Sequence, residues 1–165
     1  MSAIKFETSD GFTIQVERET AVVSKVVKNF LEYHPTDKCT FHLNCVDNAT
    51  LRKVVEWMRH HKDDAYIETE SDESDEERSQ DVSIEMDPWD ANFLNEDLFF
   101  LLDILNAANF MKIKVLFKNC CKKIYLMSKG KSSVEIKRLL KERCDFTDED
   151  LQRIANKYEW MARVN

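Results

Sequence analysis

The stretch LFFLLDILNAANFMKIKVLF, residues 98 to 117, limits the possible folds more than any other part of the chain. Its clearly polar residues are Asp103, Asn106, Asn109, Lys112 and Lys114. A helical segment this apolar must be buried in a large core or be completed by a partner, and the charges inside it exclude a membrane span. Positions 103, 106, 109 and 112 drift by about 60° per step around a 3.6-residue helix, so one straight helix would keep no clean face. The pattern predicts two helices with a break near Asn109 to Lys112. The second is expected to run to about Met127, with Gly130 as its C-cap.

The sequence before this segment reads differently. Residues 3 to 8 and 12 to 18 alternate apolar and polar, Ile4 and Phe6 sharing one face of the first strand and Phe12, Ile14 and Val16 one face of the second; "SDG" between them completes a β-hairpin. "TAVVSKVVKNFLEY" places Val22, Val23, Val26, Val27, Phe30 and Leu31 at helical spacing up to Pro35, and "CTFHLNCV" predicts a third strand. A helix capped by Asn48 follows to about His61. Beyond the acidic region Pro88 suits a first helical turn, leading into Trp89, Phe93 and Leu94. Near the end, Ser132 with Glu135 and Thr147 with Asp150 are capping boxes that announce two further helices. A few strands followed by many helices is an α+β pattern.

Composition sharpens this. Two glycines and two prolines in 165 residues disfavour a turn-rich all-β fold, while 43% hydrophobic residues with ten Phe supply a core. The net charge is -7, and residues 63 to 87 hold twelve acids against Arg78, leaving the remainder mildly basic at +4. The overall balance argues against nucleic acid as the main partner. Residues 63 to 85 hold too little apolar surface at their centre to offset ordering entropy and predict a disordered insertion. Within it, Ser74 precedes Asp75, Glu76 and Glu77, the context of an acid-directed kinase. Met1 to Asp10 carries Lys5, Glu7 and Asp10 and no apolar run, so no secretory leader is expected. An odd count of five Cys, two of them adjacent, predicts a reduced intracellular protein.

Residues with chemical potential read mostly as structure. Cys39, His42 and Cys45 have zinc-like spacing, but on a strand Cys39 and His42 point to opposite faces and no second pair matches them. His60 and His61 read as solvated helix-end residues. Lys122 and Lys123 would lower the thiol pKa of Cys120 or Cys121, yet no catalytic context accompanies them. Nothing resembles a glycine-rich phosphate loop. Trp160 has little chain after it to complete a pocket, so it either folds back on its own core or anchors an interface. The residues together predict an intracellular α+β interaction module without enzyme chemistry, cofactor or metal.

Six collinear strings carry a family likeness: "IKFETSDG" at 4 to 11, "LRKVVEWMRHHKDD" at 51 to 64, "PWDANFL" at 88 to 94, "LNAANFMKIKVL" at 105 to 116, "MSKGKSSVEIKRLL" at 127 to 140 and "CDFTDEDLQRIANKYEW" at 144 to 160. They resemble the S-phase kinase-associated adaptor family, the subunits that hold F-box proteins in SCF ubiquitin ligases. The resemblance implies a BTB/POZ fold over residues 1–127, with the acidic insertion at 63–85, and a helical extension over 128–165 that completes an F-box-binding surface. It implies an adaptor between F-box protein and cullin, in cytoplasm and nucleus, with Asn109 and Phe110 at the cullin contact. On the F-box side it implies Leu102, Leu116, Cys120, Ile124, Ile136, Leu140 and Trp160. An open apolar groove would also favour weak homodimerisation without a partner. The pattern departs from the family at Ser133, where proline is usual, at Phe99, where a small residue is common, at Phe110, where tyrosine is common, and around 141 to 144. The rival readings are a self-associating BTB scaffold, an adaptor of another cullin system and a thiol-dependent enzyme.

Overall fold

The computed structural model describes residues 3–34, 39–64, 86–140 and 148–157. The chain divides into two compact units, Met1–Met127 and Ser128–Asn165. Most of the acidic insertion, together with Ser74, Thr147 and Trp160, lies outside the described residues.

The first unit is built on a three-stranded sheet of β1 (Ala3–Thr8), β2 (Thr13–Glu17) and β3 (Thr40–Leu43), in the order β2-β1-β3. β1 and β2 form the expected antiparallel hairpin, with Phe6 opposite Ile14. β3 runs parallel to β1, so the chain between them must cross over. Alternation buries Ile4 and Phe6, and Gly11 supplies the positive φ that the hairpin turn needs. Phe12 departs from the sequence reading. It precedes β2 and is largely exposed, because the turn closed by the Thr8 amide on the Phe12 carbonyl (2.9 Å) takes it out of the strand.

The helix expected over residues 20 to 33 is two pieces, α1 (Arg18–Ala21) and α2 (Lys25–Tyr33). Ser24 interrupts them in an extended conformation. Its hydroxyl accepts from the Val27 amide (3.3 Å) and donates to the Met111 carbonyl (2.6 Å), both buried. Ser24→Ala is expected to lower stability by about 2 kcal/mol, combining a lost cap with a stranded buried carbonyl. Urea denaturation reads this directly, and a change under 0.5 kcal/mol would show that neither bond matters.

α3 (Asn48–His61) begins one residue earlier than expected. Asp47, not Asn48, is the N-cap and accepts from the Thr50 amide (2.8 Å), because Asp47 is the residue still extended. α4 (Pro88–Phe93) has proline at its first position and Asp87 as its cap. The apolar segment divides as its polar stripe requires, into α5 (Leu98–Phe110) and α6 (Lys114–Ser128). α5 packs on α3 and buries Leu98, Leu101, Ile104, Ala107 and Ala108, while Asp103, Asn106 and Asn109 face solvent. The greasy segment is therefore mostly core. No helix among the described residues is long and apolar enough to cross a membrane.

One buried carboxyl organises the end of this unit. Asp90 on α4 is 1% exposed. It accepts from the Trp57 indole (2.8 Å) and the Asn119 amide (2.9 Å), and the Nε2 of His61 lies 3.0 Å away. His61 also meets Asp64 at 2.5 Å through Nδ1. His61 is thus a buried structural residue, contrary to its reading as a solvated helix end, because α4 returns over it. His60 is exposed and stacks on Trp89.

The second unit contains α7 (Ser133–Leu139) and α8 (Asp148–Lys157). The Ser132–Glu135 capping box forms as read, and Gly130 takes a positive φ after α6. The Ser132 amide, bonded to the Glu135 carboxylate, holds that group below the usual carboxylate range.

Candidate protein-interaction site

The break between α5 and α6 makes a rigid corner. Met111 is the C-cap and Lys112 takes a left-handed φ of 55°. The Ile113 amide donates to the Ala108 carbonyl (2.9 Å), and the Lys112 amide to the Asn109 carbonyl (3.2 Å). This pair of bonds is a Schellman closure with lysine in the place that glycine usually takes. Met111, Ile113 and Ala108 are buried beneath it. Ser24 reaches the same corner through the Met111 carbonyl. The result presents Asn109 and Phe110 outward, with Phe110 43% exposed. A large aromatic ring held half in water next to an amide suits a protein contact better than a core.

The residues expected on the F-box side separate by burial. Leu116 and Cys120 are fully buried members of the core of the first unit. In the chain alone their side chains are therefore packed within the core of the first unit. Leu116, Cys120 and Ile124 recur every four residues along α6, and only Ile124, at the C-terminal end of this row, is partly exposed. Leu102 on α5 is half-buried. In the second unit, Ile136 and Leu140 are half-buried. The outer side of α6 further exposes Tyr125 and Leu126, and the outer side of α5 exposes Phe99. Sequence reading did not single out Tyr125 and Leu126 and noted Phe99 only as a departure from the family, because each stands among apolar neighbours that hide its exposure.

Thiol chemistry finds no support here. Burial pushes the Cys120 thiol up to about 12, with the neighbouring Cys121 and Asp90 adding to the shift. Burial also raises Cys121. The expected lowering by Lys122 and Lys123 is not found, because desolvation by burial sets the direction at both thiols. Cys120 is therefore expected to resist iodoacetamide in the native protein and to react once unfolded. Mass spectrometry of labelled peptides checks this, and native labelling of Cys120 as fast as that of exposed Cys45 would refute it. Among the described residues no three potential ligands gather to hold a metal. His42 instead lies 3.3 Å from Glu7.

Residues 2–63 match the family model described as the Skp1 family tetramerisation domain, and residues 114–161 match the Skp1 family dimerisation domain. Among curated proteins, the chain is 35% identical over 159 residues to an E3 ubiquitin ligase complex SCF subunit sconC of Arthroderma otae, covering 96% of this chain and 94% of the relative. It is 36% identical over 157 residues to the protein of the same description from Talaromyces stipitatus, covering 95% of each. It is also 36% identical over 160 residues to the suppressor of kinetochore protein 1 of Schizosaccharomyces pombe, covering 97% of this chain and 98% of the relative.

Proposed function

The chain belongs to the Skp1 family, and on that premise we propose that it is the adaptor subunit of an SCF-type ubiquitin ligase, joining F-box substrate receptors to a cullin scaffold for ubiquitin-dependent degradation. The observation that carries this reading is the collinear match to SCF subunits over nearly the whole of both chains. The adaptor acts by holding two proteins together and contributes no catalytic residue. It works in the cytoplasm and nucleus, and Ser74 is its candidate phosphorylation site.

Two surfaces divide the work. Asn109 and Phe110, held outward by the corner, meet the cullin. The F-box contacts apolar residues of each unit taken by itself, Leu102 and Ile124 in the first and Ile136, Leu140 and Trp160 in the second. Leu116 and Cys120 support α6 from beneath. Covering an aliphatic side chain at such a surface contributes about 1.5–3 kcal/mol, and the Trp160 anchor about 2 kcal/mol or more. Without a partner, exposed apolar residues of this kind favour weak self-association.

Co-purification with an F-box fragment, followed by addition of a cullin N-terminal domain, tests both assignments. Trp160→Ala is expected to weaken the F-box complex, and Asn109→Lys to weaken cullin binding roughly tenfold or more while sparing the F-box. A ternary complex with these separable losses supports the adaptor reading. If Asn109→Lys impairs both partners or neither, the two-surface assignment fails. Absence of binding to either partner would leave the self-associating scaffold.

A further inference from the structure

We infer that Lys112 is a third recognition residue of the corner after α5, and that its ammonium meets a carboxylate of the cullin beside the contacts of Asn109 and Phe110. The inference rests on the adaptor reading above. Among the described residues Lys112 is the one non-glycine residue with a positive φ, at 55°. A residue with a Cβ is disfavoured in that left-handed region, whereas glycine enters it freely. The Schellman closure would therefore be served better by glycine, or by asparagine, than by lysine. A disfavoured backbone held at an exposed turn points to a use for the side chain that it carries.

The fold itself makes little use of this side chain. A cation at a helix C-terminus can answer the last carbonyls and the helix dipole. Here the carbonyls of Ala107, Ala108 and Asn109 already accept from the amides of Met111, Ile113 and Lys112. The Lys112 side chain is exposed and makes no hydrogen bond or ion pair with any described residue. No Asp or Glu occurs from residue 104 to residue 134, so the chain on either side supplies no counter-charge. Asn109 and Phe110 are exposed beside it. Within four residues the corner thus offers an amide, an aromatic ring and a cation. The ring supplies contact area, and the cation selects the sign of the charge opposite it. One lysine in a chain of net charge -7 makes no phosphate-binding face, but it matches a single carboxylate on a folded partner. A charge placed at the edge of a contact acts chiefly on the rate of encounter and its dependence on salt.

The test follows association of the full chain with a cullin N-terminal domain by stopped flow, at about 0.05 M and about 0.5 M salt. Lys112→Gly is expected to raise the thermal midpoint, because it relieves the backbone, and yet to slow association about threefold to tenfold at the lower salt. The difference should vanish at the higher salt, where charges are screened within about 4–5 Å. Lys112→Glu should slow association further, and Lys112→Arg should keep the original rate. A lysine with only a structural role would not yield a variant that is more stable and slower to bind. Unchanged association for Lys112→Gly, a loss that persists at the higher salt, or a lowered thermal midpoint overturns the inference and leaves the adaptor reading intact. Failure of the unaltered chain to bind the cullin overturns both. Light scattering of the chain alone completes the test: a low-salt dimer abolished by Lys112→Glu would assign the cation to a second copy and overturn the inference.

Discussion

Replacing Asp90 with alanine is expected to lower folding stability by about 3–5 kcal/mol. The truncation leaves the Trp57 indole and the Asn119 amide without an acceptor, and strips His61 of its buried contact. These donors come from α3 and α6, so one carboxyl fastens α4 to both of the helices beside it. Water cannot readily replace it, since Asp90, His61 and Trp57 are all buried. Asp90→Asn separates shape from hydrogen bonding. Its amide oxygen can serve one side, but its NH2 must then face another donor, so an intermediate loss of about 1–3 kcal/mol is expected. Urea midpoints at constant slope measure both variants. A loss below 1 kcal/mol for alanine would mean that the network is incidental to the packing of α4.

The second large effect is at Leu116. Its side chain is fully buried, and its truncation to alanine is expected to lower stability by about 2–5 kcal/mol through lost apolar burial and a residual cavity. Ile124→Ala, one row position from Cys120 but partly exposed, should instead cost less stability and more F-box affinity. Calorimetric titration at a temperature where both variants are folded separates the two roles. If Leu116→Ala kept native stability while losing F-box affinity tenfold, Leu116 would belong to the docking surface after all.

Legibility in the sequence followed the range of the interactions. The hairpin, the break after Phe110, the proline-led α4 and the Ser132 capping box depend on residues within a few positions of one another, and all were readable. The interruption at Ser24 was not, because its reason is a hydroxyl bond to Met111, 87 residues away. The same holds for His61, whose burial depends on Asp90 arriving across the acidic insertion. Periodicity marked Leu116 and Cys120 as apolar. It could not say whether they faced the core or a partner, since both environments ask for the same side chains.

The closed corner after α5 also bears on the tempo of assembly. Its backbone is already tied by the Ile113 and Lys112 amides and pinned by Ser24, so Asn109 and Phe110 have little ordering left to undergo on encounter. A partner meeting a finished shape loses less entropy on docking and does not wait for a rearrangement. Substitutions at the two side chains should then change mainly how long the complex lasts, while the rate at which it forms stays within the narrow range set by diffusion and orientation.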